Sequence, residues 1–167
     1  MRSKQIAAGV LALAFAGGEA AAQQSLRERL IGTWSFVVAE ATAPDGKKSF
    51  IFGETPKGIL IFTPDGHFAQ IHVASDVPKF ASGNRMTGTA DEYASIMRRS
   101  LSLFGTYAVD EDKRTVTFKI IASTFPNQDG EAQTRTIDKL TADEFVNTNP
   151  NVAGGRGSAS NVYRRVR

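Results

Sequence analysis

Strand-like runs joined by tight turns constrain this chain more than any other feature, because serial hairpins lead to an antiparallel sheet. Gly58–Thr63 and His67–Val73 flank Pro64-Asp65-Gly66, and Thr106–Val109 and Thr115–Ile121 flank Asp110–Arg114. Turn residues between aromatic and β-branched runs are strong local hairpin signals. Thr33–Ala39 precedes these pairs, Glu131–Leu140 and Glu144–Thr148 enclose Thr141-Ala142-Asp143, and Ser158–Val166 comes last, which makes eight strands. Such spacing suits a sandwich or a barrel. A closed barrel of about eight strands removes the sheet edges and leaves room inside for side chains or one small ligand, so an all-β, eight-stranded antiparallel barrel is the expected fold.

Two helices interrupt this pattern. Ser25–Leu30 reads as a short one. Ala90–Ser100 is stronger: Thr89 and Glu92 form a T-x-x-E capping box, and Tyr93, Ile96, Met97 and Leu101 recur at helical spacing. It is expected between the third and fourth strands, as a lid over or a plug against one end of the sheet.

The N-terminus has a separate logic. Met1-Arg2-Ser3-Lys4 is basic, Ile6–Ala16 is apolar, and Ala20-Ala21-Ala22 supplies small residues before Gln23. This order predicts a secretory signal peptide over residues 1–22, cut after Ala22, and a single domain over residues 23–167 in the periplasm or outside the cell. The apolar run, interrupted by Gly17, Gly18 and Glu19, is short of the ~20 residues a stable membrane anchor needs. No cysteine is present, which excludes disulfides, thiolate metal sites and cysteine nucleophiles. Losing Arg2, Lys4 and Glu19 moves the formal charge from +3 to +2, a balance that argues against nucleic acid as the main partner. Arg164-Arg165-Val166-Arg167 reads as a solvated basic end. Gly154-Gly155-Arg156-Gly157 reads as a loop, since no helix follows to make a phosphate cradle.

Chemistry-bearing motifs are sparse. His67 and His72 are the only histidines; five positions apart on one strand, they face opposite sides and cannot share a metal. His72 falls on the face that carries Phe68 and Gln70. There is no G-x-S-x-G elbow, HExxH, Walker or EF-hand signature, and most acids lie in turns, so no cofactor or metal is expected. What stands out is a polar set within otherwise apolar strands: Tyr107, Asn127 after Pro126, and Gln133 with Arg135, two apart and on one face. If that face points inward, a guanidinium and an amide need partners, because burying either unpaired costs about 2 kcal/mol or more. Arg135 offers a fork suited to a carboxylate, and Tyr107 a hydroxyl to orient a ligand.

Gly32-Thr33-Trp34 at the opening of the first strand resembles the G-x-W mark of lipocalins, in which the Trp closes the barrel base beneath an Arg of the last strand; Arg164 or Arg165 is suitably placed. The chain from Leu30 to Arg165 is more specifically similar to the bacterial and fungal lipocalin-like domain family, a calycin-type group. The similarity runs through Leu30-Ile31-Gly32-Thr33-Trp34, Phe52-Gly53 with Pro56-Lys57-Gly58, and Thr63-Pro64-Asp65-Gly66. It continues through Phe104–Asp110, Ser123–Asn127 and Gln133-Thr134-Arg135. Gln128 stands where similar chains often carry Trp, and Lys119-Ile120-Ile121 replaces a strand often richer in His and Glu. The resemblance implies a calycin barrel that binds a small hydrophobic or amphipathic molecule. Trp34, Phe36, Phe62, Phe118 and Phe145 are its candidate apolar lining; Tyr107, Gln133, Arg135, His72 and Asn127 are the polar candidates, and the helix controls access. Two alternatives stay open: an isomerase or cyclase using Tyr107, His72 or Arg135, and a protein-binding or inhibitor module acting through loops such as Ala74–Gly88.

Overall fold

The computed structural model describes residues 24–152 and 157–167. The expected leader, residues 1–22, and residues 154–156 of the Gly-rich stretch lie outside the described residues. The strands are β1 (Gly32–Thr42), β2 (Lys48–Phe50), β3 (Lys57–Phe62), β4 (His67–Val73), β5 (Ser100–Asp110), β6 (Thr115–Ser123), β7 (Ala132–Leu140), β8 (Glu144–Asn149) and β9 (Ser158–Arg165). Neighbours from β3 to β9 pair antiparallel in sequence order. β1 pairs with β3 on one edge and β9 on the other, with Trp34 opposite Arg165 and Thr42 opposite Ser158. Eight strands thus close an antiparallel barrel.

β2 is a short addition that the sequence pattern does not announce. Gly46, at φ 83°, lets the chain double back after Ala43, and Lys48–Phe50 pairs with Glu40–Thr42 above the stretch of β1 that β3 uses. This corrects the expected place of the helix. Helix α2 (Ala90–Arg99) follows β4 and precedes β5 rather than lying between the third and fourth strands, because β2 enters the chain order before it. β5 is also much longer than Thr106–Val109: Leu101, which prolongs a helical stripe on paper, belongs to the strand.

Three register shifts, at Phe36/Val38, Phe104/Gly105 and Ile137/Lys139, bend the strands that must curl. At the second, a Cβ on residue 105 would strike the Lys119 carbonyl, so glycine is what permits the close approach of β5 and β6.

Helix α1 (Leu26–Leu30) covers one end of the barrel. Ser25 and Glu28 cap it reciprocally, and the Glu111 carboxylate in the β5–β6 turn accepts from the Leu26 and Arg27 N–H groups at 2.8 and 3.1 Å. Leu26 and Leu30 point into the core, and the Trp34 indole N–H donates to the Leu30 carbonyl at 2.8 Å. Arg165 lies over Trp34 with its guanidinium carbon 4.0 Å from the ring centroid, and it donates to the carbonyls of Ile31, Ala142 and Arg29. One side chain therefore joins the last strand, the first strand and the helix. Arg165→Ala should cost roughly 2 kcal/mol, the sum expected for a cation–π contact and charged hydrogen bonds at a partly exposed site. Urea unfolding of both proteins measures it; an unchanged midpoint would show that the latch contributes nothing.

Above this base Trp34, Phe62, Phe68, Phe118 and Phe145 pack edge to face or tilted, with centroid separations from 4.7 Å (Phe68–Phe118) to 6.1 Å (Phe62–Phe145). Helix α2 contributes nothing to this core. Its capping box is formed on both sides, yet none of its residues is buried, and Tyr93 and Met97 are 42 % and 52 % exposed. It does not act as a plug.

Candidate functional site

Inward positions alternate along each strand, and toward the end away from α1 several of them are polar. Gln70 and His72 come from β4, Gln133 and Arg135 from β7, Asn147 from β8, and Asn161 and Tyr163 from β9. All are buried except Gln133, which is half-buried. Four strands thus converge on one polar patch inside an otherwise apolar barrel.

Arg135 is its centre. The guanidinium lies over the Phe118 ring, 4.6 Å from the centroid, and donates at 3.2 Å to Gln70 Oε1 and at 3.2 Å to Gln133 Oε1. Both acceptors are neutral. No carboxylate of the described residues pairs with it, and its Nε has no partner. Burial draws its pKa below the ordinary guanidinium range, though arginine stays protonated in proteins.

The Tyr163 hydroxyl sits beside Arg135 and 3.1 Å from His72 Nε2. Burial pushes the Tyr163 phenol up to about 12. Burial, with the Arg135 charge adding to it, holds His72 down at about 3. At neutral pH the imidazole is therefore uncharged and the phenol protonated, so the O–H can donate to Nε2. Both serve as fixed hydrogen-bonding groups at that pH rather than as proton carriers. The imidazole is clamped: Phe36 stacks on it at 3.6 Å and 8°, and Phe52 meets it edge-on at 5.3 Å. Gly58 lies directly across from His72, and a Cβ there would press on the Ile71 carbonyl and Phe36. Asn161 Nδ2 donates to Asn147 Oδ1 at 3.3 Å, while Asn147 Nδ2, on a side chain adjoining Tyr163, is left without an acceptor. The two unpaired polar atoms of the patch, Arg135 Nε and Asn147 Nδ2, are both donors.

Of the residues singled out by sequence, His72, Gln133 and Arg135 meet here. Tyr107 does not: it is buried nearer α1, its hydroxyl donates to the Thr63 carbonyl at 3.0 Å, and Arg27 lies 5.7 Å over its ring. Trp34 belongs to the base. Asn127 is exposed in the single 3₁₀ turn Pro126–Gln128. Sequence reasoning missed Asn147, Asn161 and Tyr163 and did not single out Gln70 as a site residue. The signal was available as polar residues at inward alternate positions, Phe145/Asn147 and Asn161/Tyr163, but only closure of the barrel brings β8 and β9 against β4. Among the described residues no cluster of His, Asp and Glu could hold a metal.

A closed antiparallel barrel with a helix-covered base and a polar patch toward the other end defines the class of this protein. The chain belongs to the lipocalin-like domain family, whose model matches residues 31–162. No curated protein matches it in sequence. Among solved structures it is similar to a redesigned β-barrel, at 15 % identity and a TM-score of 0.44, and to a de novo designed fluorescence-activating β-barrel, at 16 % and 0.45. Each covers 86 % of this chain and 100 % of its own.

Proposed function

We propose that this protein binds a small, mostly apolar molecule inside the barrel, with a carboxylate or similar acceptor-only group against Arg135. One observation carries the reading: a buried guanidinium with no counter-charge among the described residues, with a second unpaired donor, Asn147 Nδ2, on a side chain beside the same Tyr163. Burying a charge without a partner costs several kcal/mol even after the protein relaxes, and an incoming anion offsets that cost. An apolar body fits the aromatic surroundings of Phe36, Phe52 and Phe118, where burial contributes about 25 cal/mol per Å². Gln70, Gln133 and Tyr163 orient the guanidinium and His72 holds Tyr163. Trp34, Tyr107 and Asn127 play structural parts in this scheme. The order of residues 1–22 supports an exported protein, with residues 23–167 as its one domain acting in the periplasm or the medium.

Calorimetric titration with dodecanoate, dodecanol and methyl dodecanoate tests the reading. Dodecanoate should bind at least ~10-fold more tightly than the neutral compounds of equal chain length, the least that a charge-assisted hydrogen bond contributes. Equal affinities, or no binding by any of the three, would refute it.

A further inference from the structure

Helix α2 is amphipathic and capped at its N-terminus. Most helical stability in proteins comes from packing an apolar face, yet here no residue of the helix is buried, and Tyr93 meets Phe80 of the preceding loop at 5.6 Å between ring centroids. The helix forms one wall of a groove of about 630 Å³ lined by Phe80, Met86, Tyr93, Ile96 and Met97, with Arg85 at its rim. Beyond Thr124 the apolar surface continues over the outer wall of β4, β5 and β6, where Ile71, Phe104 and Ile121 are 44–53 % exposed, with Phe125 in the turn after β6 at 48 %. Exposed apolar side chains gathered on one face make it a candidate interaction surface.

The charges around it lean to the positive side, with Lys79, Arg85, Arg98 and Arg99 against Asp76, Asp91 and Glu92. Lys79, Arg85 and Arg98 are exposed and form no ion pair among the described residues. Of the acids of the same segment, Asp76 pairs with Arg99 and Asp91 is free, while the Glu92 carboxylate accepts from the Ala81 and Thr89 N–H groups and keeps its charge. Apolar side chains at this density beside cations are the pattern of a helix that lies in the interface of an anionic bilayer. The patch is broad and continues onto the barrel wall, and among its buried side-chain polar atoms only Arg99 Nε is unpaired. It therefore offers area and charge rather than a slot with directional partners.

We infer that α2, with the 79–86 segment and the outer wall beside it, docks on an anionic lipid surface. The choice of lipid over other occupants rests on the reading that the interior takes an apolar molecule, which a bilayer can supply.

The absence of cysteine makes a site-specific probe straightforward. The full chain carrying Met97→Cys, labelled with an environment-sensitive nitrobenzoxadiazole, is mixed with phosphatidylglycerol or phosphatidylcholine vesicles; Asp112→Cys in the β5–β6 turn at the opposite end is the control. The expected result is a blue shift at position 97 with phosphatidylglycerol, none at position 112, and at least ~10-fold weaker binding in Arg85→Glu/Arg98→Glu or in high salt. No shift at position 97, or equal shifts at both positions, overturns the inference. A shift that grows with protein concentration without lipid also overturns it and assigns the surface to a second copy of the chain. Dodecanoate affinity is measured in parallel, so that lost vesicle binding with retained carboxylate binding sinks this inference alone.

Discussion

Replacing Arg135 by Met is expected to weaken dodecanoate binding by about 100-fold or more while leaving dodecanol affinity and the melting temperature close to the parent's. The two halves of this result have different causes. Removing one partner of a desolvated charged pair costs about 2–5 kcal/mol of binding, since the ligand carboxylate then enters an apolar barrel with nothing to balance it. Stability behaves otherwise, because in the free protein the guanidinium is already a buried cation held only by the neutral oxygens of Gln70 and Gln133. Exchanging a buried charge for an apolar side chain of similar volume is often neutral or stabilising. Against that gain stands Gln70 Oε1, which loses its donor at a buried site, worth about 1–3 kcal/mol; Gln133 is half-buried and can turn to water. Arg135→Lys separates charge from geometry: it keeps a cation but loses the fork, and should fall between parent and Met variant. Calorimetry with the acid and the alcohol, beside thermal unfolding, reads every arm. Undiminished dodecanoate affinity in the Met variant would remove Arg135 from the site.

Stability should fall by about 2.5 kcal/mol between neutral pH and pH 4.5, with His72 as the source. The imidazole titrates near 6.5 in the unfolded chain and at about 3 in the folded one. Between those values the unfolded state holds a proton that the native state refuses, so acid favours unfolding at about 1.4 kcal/mol per pH unit. The contribution is intact above the unfolded value and is lost progressively as pH falls below 6.5. Several carboxylates also titrate below their usual values: Asp65 through the Thr63 hydroxyl, Asp76 through Arg99, Asp110 through the Lys113 N–H and Glu92 through the Ala81 N–H. Their losses begin at lower pH, so the window from 6.5 to 4.5 belongs mainly to the histidine. Urea midpoints across that window should slope in the parent and flatten in His72→Gln. Parallel slopes in the two proteins would mean that His72 is not buried neutral.

Much of the barrel was legible because its signals are local. Pro64-Asp65-Gly66 and Asp110–Arg114 mark turns by residue type alone, and the Thr89/Glu92 box marks where α2 begins. Period-two alternation put Gln133 and Arg135 on one face, which the structure turns inward, and His72 on the face of Gln70. Where two patterns coincide, local reading fails: Leu101 continues a helical stripe and also alternates with Leu103 as a strand, and the strand won. β2 escaped notice because three exposed residues, Lys48–Phe50, carry no alternation to read. The polar patch was half visible for a different reason. Tyr163 meets Arg135, and Asn147 meets Tyr163, only through the stagger of a closed sheet, a property of the whole ring rather than of any segment. Tyr107 faces inward as alternation required, but its hydroxyl turns to the Thr63 carbonyl, a distinction of a few ångströms that no spacing rule contains.

Closure of β1 on β9 also governs how the molecule can form. The seam joins Trp34 to Arg165, so its hydrogen bonds cannot appear until nearly all of the intervening chain has been made and ordered. High contact order of this kind slows folding to the millisecond-to-second range typical of all-β domains. Until the last strand arrives, β1 and β8 each present an unpaired flank able to recruit a strand from another molecule. Loss of the final ten residues should therefore show itself less as a milder version of the native protein than as aggregation during expression.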